Sequence, residues 1–252
     1  DLLHRISTND LETLTPGQGT TTIFTSLKGR VIDWSTLLRT REGLLLLTAP
    51  ETPQSVMEWI DKHAILEEIT LADLTHETAQ ISMLGPRAGA VVGSVLGQVL
   101  GSLPLYGNLI APWNGGDALV VRTDPVGLPG YDIIVPAPEA SSLWERLNEA
   151  GEAAGIIAMG DEALDVLRVE AGVPKWGAEM DERYNPLEAN LGDAIDWVKG
   201  CYIGQEVVAR MESRGRWGRS LVFLSLLDER LPVAGAQVWA KQGSPMDDPA
   251  GT

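Results

Sequence analysis

Residues 185–206 read NPLEANLGDAIDWVKGCYIGQE, and they hold Cys201, the one cysteine of the 252-residue chain. The thiol stands between Gly200 and Tyr202, with Gly204, the amide of Gln205 and the carboxylate of Glu206 close behind. By type, a free cysteine is a small buried hydrophobe. Its neighbours open a second reading. Gly200 and Gly204 let the backbone take angles and make close approaches that other residues resist. Lys199 precedes the thiol and Arg210, Arg214, Arg216 and Arg219 follow, so Lys199 to Arg219 carries five basic residues against Glu206 and Glu212. Positive surroundings favour thiolate over thiol, which would make Cys201 a nucleophile or a transient ligand of metal or sulfur. The same arginines read equally well as a solvated face or a set of salt bridges.

That basic run is set in an acidic chain. With 35 acidic and 19 basic residues the formal charge is -16, which opposes nonspecific attraction to nucleic acid or to an anionic membrane. We therefore expect neither as a partner. The longest apolar candidate, Leu44 to Ala49, is strand-sized and far short of the ~20 residues that cross a bilayer. A single cysteine excludes an intramolecular disulfide framework and suits a reducing compartment. Together with His4, His63 and His76 at scattered positions it matches no metal-ligand spacing, so we expect no metal site and no iron-sulfur cluster held by this chain alone. A length of 252 residues at 44% hydrophobic can bury a sizeable core and divide into more than one unit. The chain starts at Asp1, so the natural N-terminus, with any targeting peptide, is expected to lie before it.

Strand-like and helix-like segments alternate along the chain, which predicts a mixed α+β protein. Thr52-Pro53, followed by Val56, Trp59, Ile60 and His63 at helical spacing, predicts a helix over about 53–64. Residues 78–84 alternate, with Ala79, Ile81 and Met83 on one side, and stop at Gly85-Pro86, as a half-buried strand would. Asn114-Gly115-Gly116-Asp117 between apolar runs is a hairpin signal. Pro138 opens a second helix through Asn148, with Leu143, Trp144 and Leu147 facing inward, before Gly151 and Gly155 break the pattern. From Ser220 the stretch SLVFLSLLDERLPVAGAQVWA reads as two strands joined by a polar turn.

The segment KGCYIGQE resembles the signature of the YgfZ-type folate-binding proteins, relatives of the T-protein (aminomethyltransferase) of the glycine cleavage system. LHRISTNDL (3–11), FTSLKGRVID (24–33), DLTHETAQISMLGPRA (73–88), LRVEAGVPKWGAEM (167–180) and residues 185–206 follow the family's order across most of the chain. The resemblance implies three lobes of antiparallel sheets and helices around a central cavity that holds tetrahydrofolate, closed by a β-rich C-terminal lobe. The first lobe would be discontinuous, taking 1–50 and 152–213, with 51–151 inserted as the second. Residues 214–252 would form an incomplete third lobe, since the final PAGT resembles that lobe's middle.

The same resemblance assigns residues to the ligand. A pterin presents adjacent N–H donors, for which a buried carboxylate is the natural acceptor pair. Glu170 in RVEAG matches the family's folate-contacting glutamate, and by pattern alone is also a helix-end or salt-bridge residue. Trp176 stands where T-proteins commonly carry tyrosine; it either packs on the pterin or aminobenzoyl ring or fills a core. Arg210 and Arg214 are cations for the anionic glutamate tail, and Tyr202, Gly204, Gln205 and Glu206 supply the motif's remaining ligand contacts. Asp33 matches the aspartate that acts at the folate amine, with Cys201 and Lys199 as further reactive groups. Two positions depart from the T-protein pattern: Thr48 where asparagine is common, and Gln205 where many carry a basic residue. We therefore expect a tetrahydrofolate-binding protein of iron-sulfur cluster assembly or maintenance, working with assembly proteins or cluster-containing enzymes. The alternative is a folate-dependent aminomethyltransferase that moves a one-carbon unit to tetrahydrofolate. The implied location is the bacterial cytoplasm or the mitochondrial matrix.

Overall fold

Threonine and apolar β-formers build the first sheet. In the computed structural model, which describes residues 1–215, 217–226, 230, 232, 233 and 235–237, β1 (Gln18–Thr25), β2 (Val31–Arg39) and β3 (Leu44–Leu47) pair antiparallel in the order β1-β2-β3. Phe24 pairs with Asp33 and Thr25 with Val31, so Ile32 is an extra residue on β2 and the alternation shifts there. Ile23 and Val31 join Met180, Leu187, Leu191, Ile195 and Val208 on one face. On the other, Phe24 and Ile32 pack with Leu2 and Ile6 of α1 (Leu2–Ile6) and Val56 and Ile60 of α2 (Pro53–His63). The helix expected over 53–64 is thus present, and its buried residues pack on the first sheet, although the sequence reading grouped it with 51–151.

The second sheet comprises β4 (Thr78–Leu84), β5 (Asn108–Trp113), β6 (Gly116–Thr123) and β7 (Gly130–Pro136), antiparallel throughout in the order β4-β7-β6-β5. Asn114 and Gly115 join β5 to β6 with φ +46° and +82°, the paired positive angles of a tight hairpin turn. One face of this sheet is covered by α3 (Ala88–Leu96) and α4 (Ala140–Gly151), whose Val92, Leu96, Leu143 and Leu147 pack on Val120, Ile133 and Val135. Each such side chain contributes about 1.5–3 kcal/mol of burial. Trp144, expected inward, is 45% exposed: Leu143 and Leu147, four apart, hold the seam, and the next residue turns away from it.

Two further helices, α5 (Asp161–Glu170) and α6 (Gln205–Arg214), precede the C-terminal segment. Of the two strands expected from Ser220 onward, residues 220–226 form none. Val222, Phe223 and Leu224 are more than half exposed there, with no neighbouring strand among the described residues to pair their backbone. The remainder of that expected pair, PAGT and most of the expected third lobe lie outside the described residues. No helix among the described residues is long and apolar enough to cross a membrane.

Candidate functional site

The motifs meet at the turn between β1 and β2. Gly29 there has φ +64°, and Gly204, which precedes α6, has φ +85°. A Cβ on Gly204 would lie 2.6 Å from the Ser26 carbonyl oxygen, and one on Gly29 would lie 3.1 Å from Val207 Cβ. Both sites therefore require glycine for conformation and for space. Asn185 holds the turn by donating from Nδ2 to the Gly29 carbonyl. Glu188 Oε2 accepts from the Asn185 N–H at 2.9 Å and from Arg30 at 3.2 Å. Gly204, expected at the ligand, thus makes its close approach to the chain's own hairpin.

Lys199 has a similar role. Its Nζ donates to the carbonyls of His4, Ser7 and Asn9, the last two at 2.8 and 2.7 Å, which uses all three of its N–H donors. Burial lowers the ammonium to about 8, against the opposing pull of Asp10, Asp196 and Glu12. The group expected to be reactive is therefore a clasp on the N-terminal loop. Tyr202 is buried, its ring 5.5 Å from Lys199 Nζ, and burial pushes its phenol up to about 12. That makes it a packing residue. Ile203 donates to the Arg5 carbonyl at 3.2 Å and accepts from Thr25 Oγ1.

Within this frame Cys201 is exposed, which removes its reading as a buried hydrophobe. Gln205 opens α6 half-buried, with only a long 3.5 Å contact from Nε2 to the Gly200 carbonyl. Glu206, Arg210 and Arg214 are exposed on α6.

Asp33 has no exposed surface. It shares the α2 face of β2 with its partner Phe24. Thr52 Oγ1 donates to Oδ1 at 2.6 Å, the Ala49 N–H donates to the same oxygen at 3.1 Å, and the Ser35 hydroxyl donates to Oδ2. Burial pushes the carboxyl above the usual carboxylate range, and the three donors only partly offset it. A carboxyl so placed can hold and release a proton at higher pH than an exposed one. Sequence reasoning missed Ser35 and Thr52. Both had a signal, since Ser35 lies two residues along the strand on the same face and Thr52 precedes the helix-opening Pro53.

The remaining expected residues are dispersed. Glu170 ends α5 and is exposed; α5 buries none of its residues, so a buried acceptor cannot arise there. Trp176 is half-buried with Trp34, Met211 and Trp217 against the cluster on the far face of the first sheet. Asp33 and Trp176 therefore do not face one common cavity. Thr48 caps only locally, with Oγ1 donating to the Ala49 carbonyl. A cavity of about 500 Å³ opens between the β1–β2 turn and α2, lined among others by Lys28, Arg30, Trp59, Lys62 and Glu182, and it includes none of the residues expected to bind folate.

A family model described as the GCVT N-terminal domain matches residues 1–199. The chain is 34% identical over 249 residues to an aminomethyltransferase of Symbiobacterium thermophilum, covering 94% of this chain and 65% of that protein. It is 30% identical over 243 residues to an aminomethyltransferase of Halalkalibacterium halodurans, again covering 94% and 65%. The chain thus spans about 65% of the length of these curated relatives. The crystal structure of a glycine cleavage system aminomethyltransferase T from Bartonella henselae aligns with a TM-score of 0.72 at 22% identity, over 84% of this chain and 58% of that one. The likeness shows a shared fold.

Proposed function

The chain belongs to the GCVT N-terminal domain family, and from that premise we propose that it acts in folate-dependent one-carbon transfer, delivering a carbon from an aminomethyl donor to tetrahydrofolate. The observation that carries this reading is Asp33, a fully buried carboxyl raised in pKa and fixed by Thr52, Ser35 and Ala49. In the proposed reaction the folate nitrogen bonds the aminomethyl carbon as the carbon–amine bond breaks and ammonia leaves, and Asp33 takes the proton that this nitrogen sheds. Closure onto the second folate nitrogen then breaks the bond between the carbon and its carrier, which leaves as the thiol. Thr52 and the Ala49 N–H orient Oδ1, and the Ser35 hydroxyl steadies Oδ2. A charge held in this way needs little reorganisation when it forms.

Glu170 is proposed as acceptor for the pterin edge, and Arg210 and Arg214 as cations for the glutamate tail; all three are exposed and free to meet a ligand. Trp176 is left to the packing of the first sheet. The lobe division 1–50 with 152–213, 51–151 and 214–252 belongs to the same proposal, with α2 transferred to the first lobe. The names carried by the relatives favour transfer over a role in iron-sulfur cluster assembly. One observation keeps that second reading and its YgfZ-type branch: the Cys201 thiol is open to solvent.

Calorimetric titration with tetrahydrofolate, followed by a coupled assay with an aminomethylated lipoyl carrier protein, tests the proposal. Binding and release of methylenetetrahydrofolate are expected. Tight binding without product would favour the accessory reading, and absence of binding would remove both.

A further inference from the structure

The cavity of about 500 Å³ beside the β1–β2 turn falls in the range of ~300–1,000 Å³ usual for small-molecule sites. Its lining comes from two sides. α2 presents Glu58, Trp59 and Lys62, and the side of the turn presents Lys28 and Glu182. The segment carrying Glu182 is tied to the start of β2, since Arg30 Nη1 donates to the Arg183 carbonyl at 2.6 Å and the Val31 N–H donates to the Tyr184 carbonyl at 2.9 Å. Ile32, the extra residue of β2, adds an apolar patch.

Each side thus holds one cation and one carboxylate, yet no ion pair joins either lysine to either glutamate. On α2, Glu58 stands four residues before Lys62, the favoured order for a helical ion pair. That pair is not made. Glu58 Oε1 accepts from Gln54 Nε2 at 2.8 Å, and Lys62 Nζ lies 5.3 Å from the centroid of the Trp59 ring. The His63 ring packs on the same indole with centroids 4.3 Å apart, which holds the aromatic wall in place. At the turn, neither the Lys28 ammonium nor the Glu182 carboxylate has a hydrogen bond or ion pair among the described residues. Unpaired charges on a convex surface are merely hydrated. Here both signs converge on one concave space beside apolar surface, which is the make-up of a ligand pocket.

We propose that this cavity binds a free α-amino acid with an apolar side chain. Its carboxylate accepts from Lys28 and Lys62, its ammonium donates to Glu58 and Glu182, and its side chain packs against Trp59 and Ile32. A simple anion would leave two carboxylates facing it, and a simple cation two ammonium groups; a zwitterion answers both. None of the residues assigned to folate lines this cavity, so the inference stands apart from the folate reading.

The test is calorimetric titration of the full chain with L-phenylalanine, and in parallel with L-phenylalaninamide and N-acetyl-L-phenylalanine, each of which lacks one of the two charges. The free amino acid should bind, and each masked analogue should bind about tenfold more weakly or not at all. Lys62→Met and Glu182→Gln should each weaken L-phenylalanine binding about tenfold at an unchanged melting temperature, because both side chains are exposed. Should either variant fail to fold, the masked analogues decide with the wild-type chain. Binding of L-phenylalanine should also persist in saturating tetrahydrofolate. Absence of L-phenylalanine binding at millimolar concentration, equal binding of the masked analogues, wild-type affinity in the folded variants, or displacement by tetrahydrofolate would each overturn the inference, while titration with tetrahydrofolate alone decides the folate reading.

Discussion

The turn between β1 and β2, with the N-terminal loop beside it, and the face of the second sheet turned away from α3 and α4 are both rich in polar groups, yet they treat them differently. Around the turn, Lys199 satisfies three carbonyls of the N-terminal loop, while Asn185 and Glu188 bond both to one another and to the hairpin. On that face of the second sheet the buried Thr123 hydroxyl has no partner among the described residues and Asp132 only a partial set. Answered groups fix a backbone in place. Buried groups left partly unanswered mark positions where a second molecule can supply the missing partner. Asp33 lies between these cases, since both its oxygens accept hydrogen bonds, three in all, and it is still raised in pKa.

The sharpest test of the contrast is therefore Asp33→Asn. Loss of a general acid–base group should lower transfer by about 10²–10⁴-fold, while the isosteric amide keeps the fold. The sign with pH follows from the raised carboxyl. The folded state holds this proton more tightly than the unfolded chain, so the contribution to stability is present below the unfolded pKa of ~3.9 and is lost as pH climbs through the folded value. Urea denaturation across acidic to neutral pH should show Asp33→Asn with a flatter profile and no less stability at neutral pH. A variant that transfers at the wild-type rate would remove Asp33 from the chemistry.

Gly204→Ala tests the turn itself. A positive φ and a Cβ 2.6 Å from the Ser26 oxygen should cost about 3 kcal/mol in a denaturation experiment; a loss below 1 kcal/mol would mean that the two motifs can separate cheaply. Lys199→Met leaves three carbonyls unanswered and should cost about 2 kcal/mol, with tetrahydrofolate affinity retained by the folded fraction. Lost activity at unchanged stability would return Lys199 to the chemistry. The smallest effect belongs to Cys201→Ala, within about 0.5 kcal/mol for an exposed residue. Alkylation of the wild-type thiol in the folded protein should be ready, and protection from it would show that Cys201 is covered in solution.

Local patterns were read well from the chain. Helical spacing after Pro53, the alternation over 78–84 and the Asn114-Gly115 turn all correspond to elements with nearly the same bounds, because neighbours in sequence decide them. What failed depended on distant partners. Lys199 looked reactive beside Cys201, whereas its hydrogen bonds go to residues 4, 7 and 9. The bulge at Ile32 sets which residues share a face, so the separation of Asp33 from Trp176 could not be counted out by parity. Glu170 gave a motif match without its burial, and the apolar run over 220–226 gave strand propensity with no partner strand among the described residues.

The interrupted course of the first sheet's core also has a consequence in time. The second sheet and its helices draw their core from Met83 to Leu147, a nearly continuous stretch, whereas Ile23 and Val31 wait for Met180 to Val208. At ~5–20 residues per second of synthesis, β1 and β2 would stand with one apolar face uncovered for roughly 10–30 s. Contacts of such sequence separation are also slow to form in refolding. Pulsed hydrogen exchange should protect the amides of β4 to β7 before those of β1 and β2, and a nascent chain stopped before residue 180 should already hold the second sheet while its N-terminal strands remain sensitive to protease.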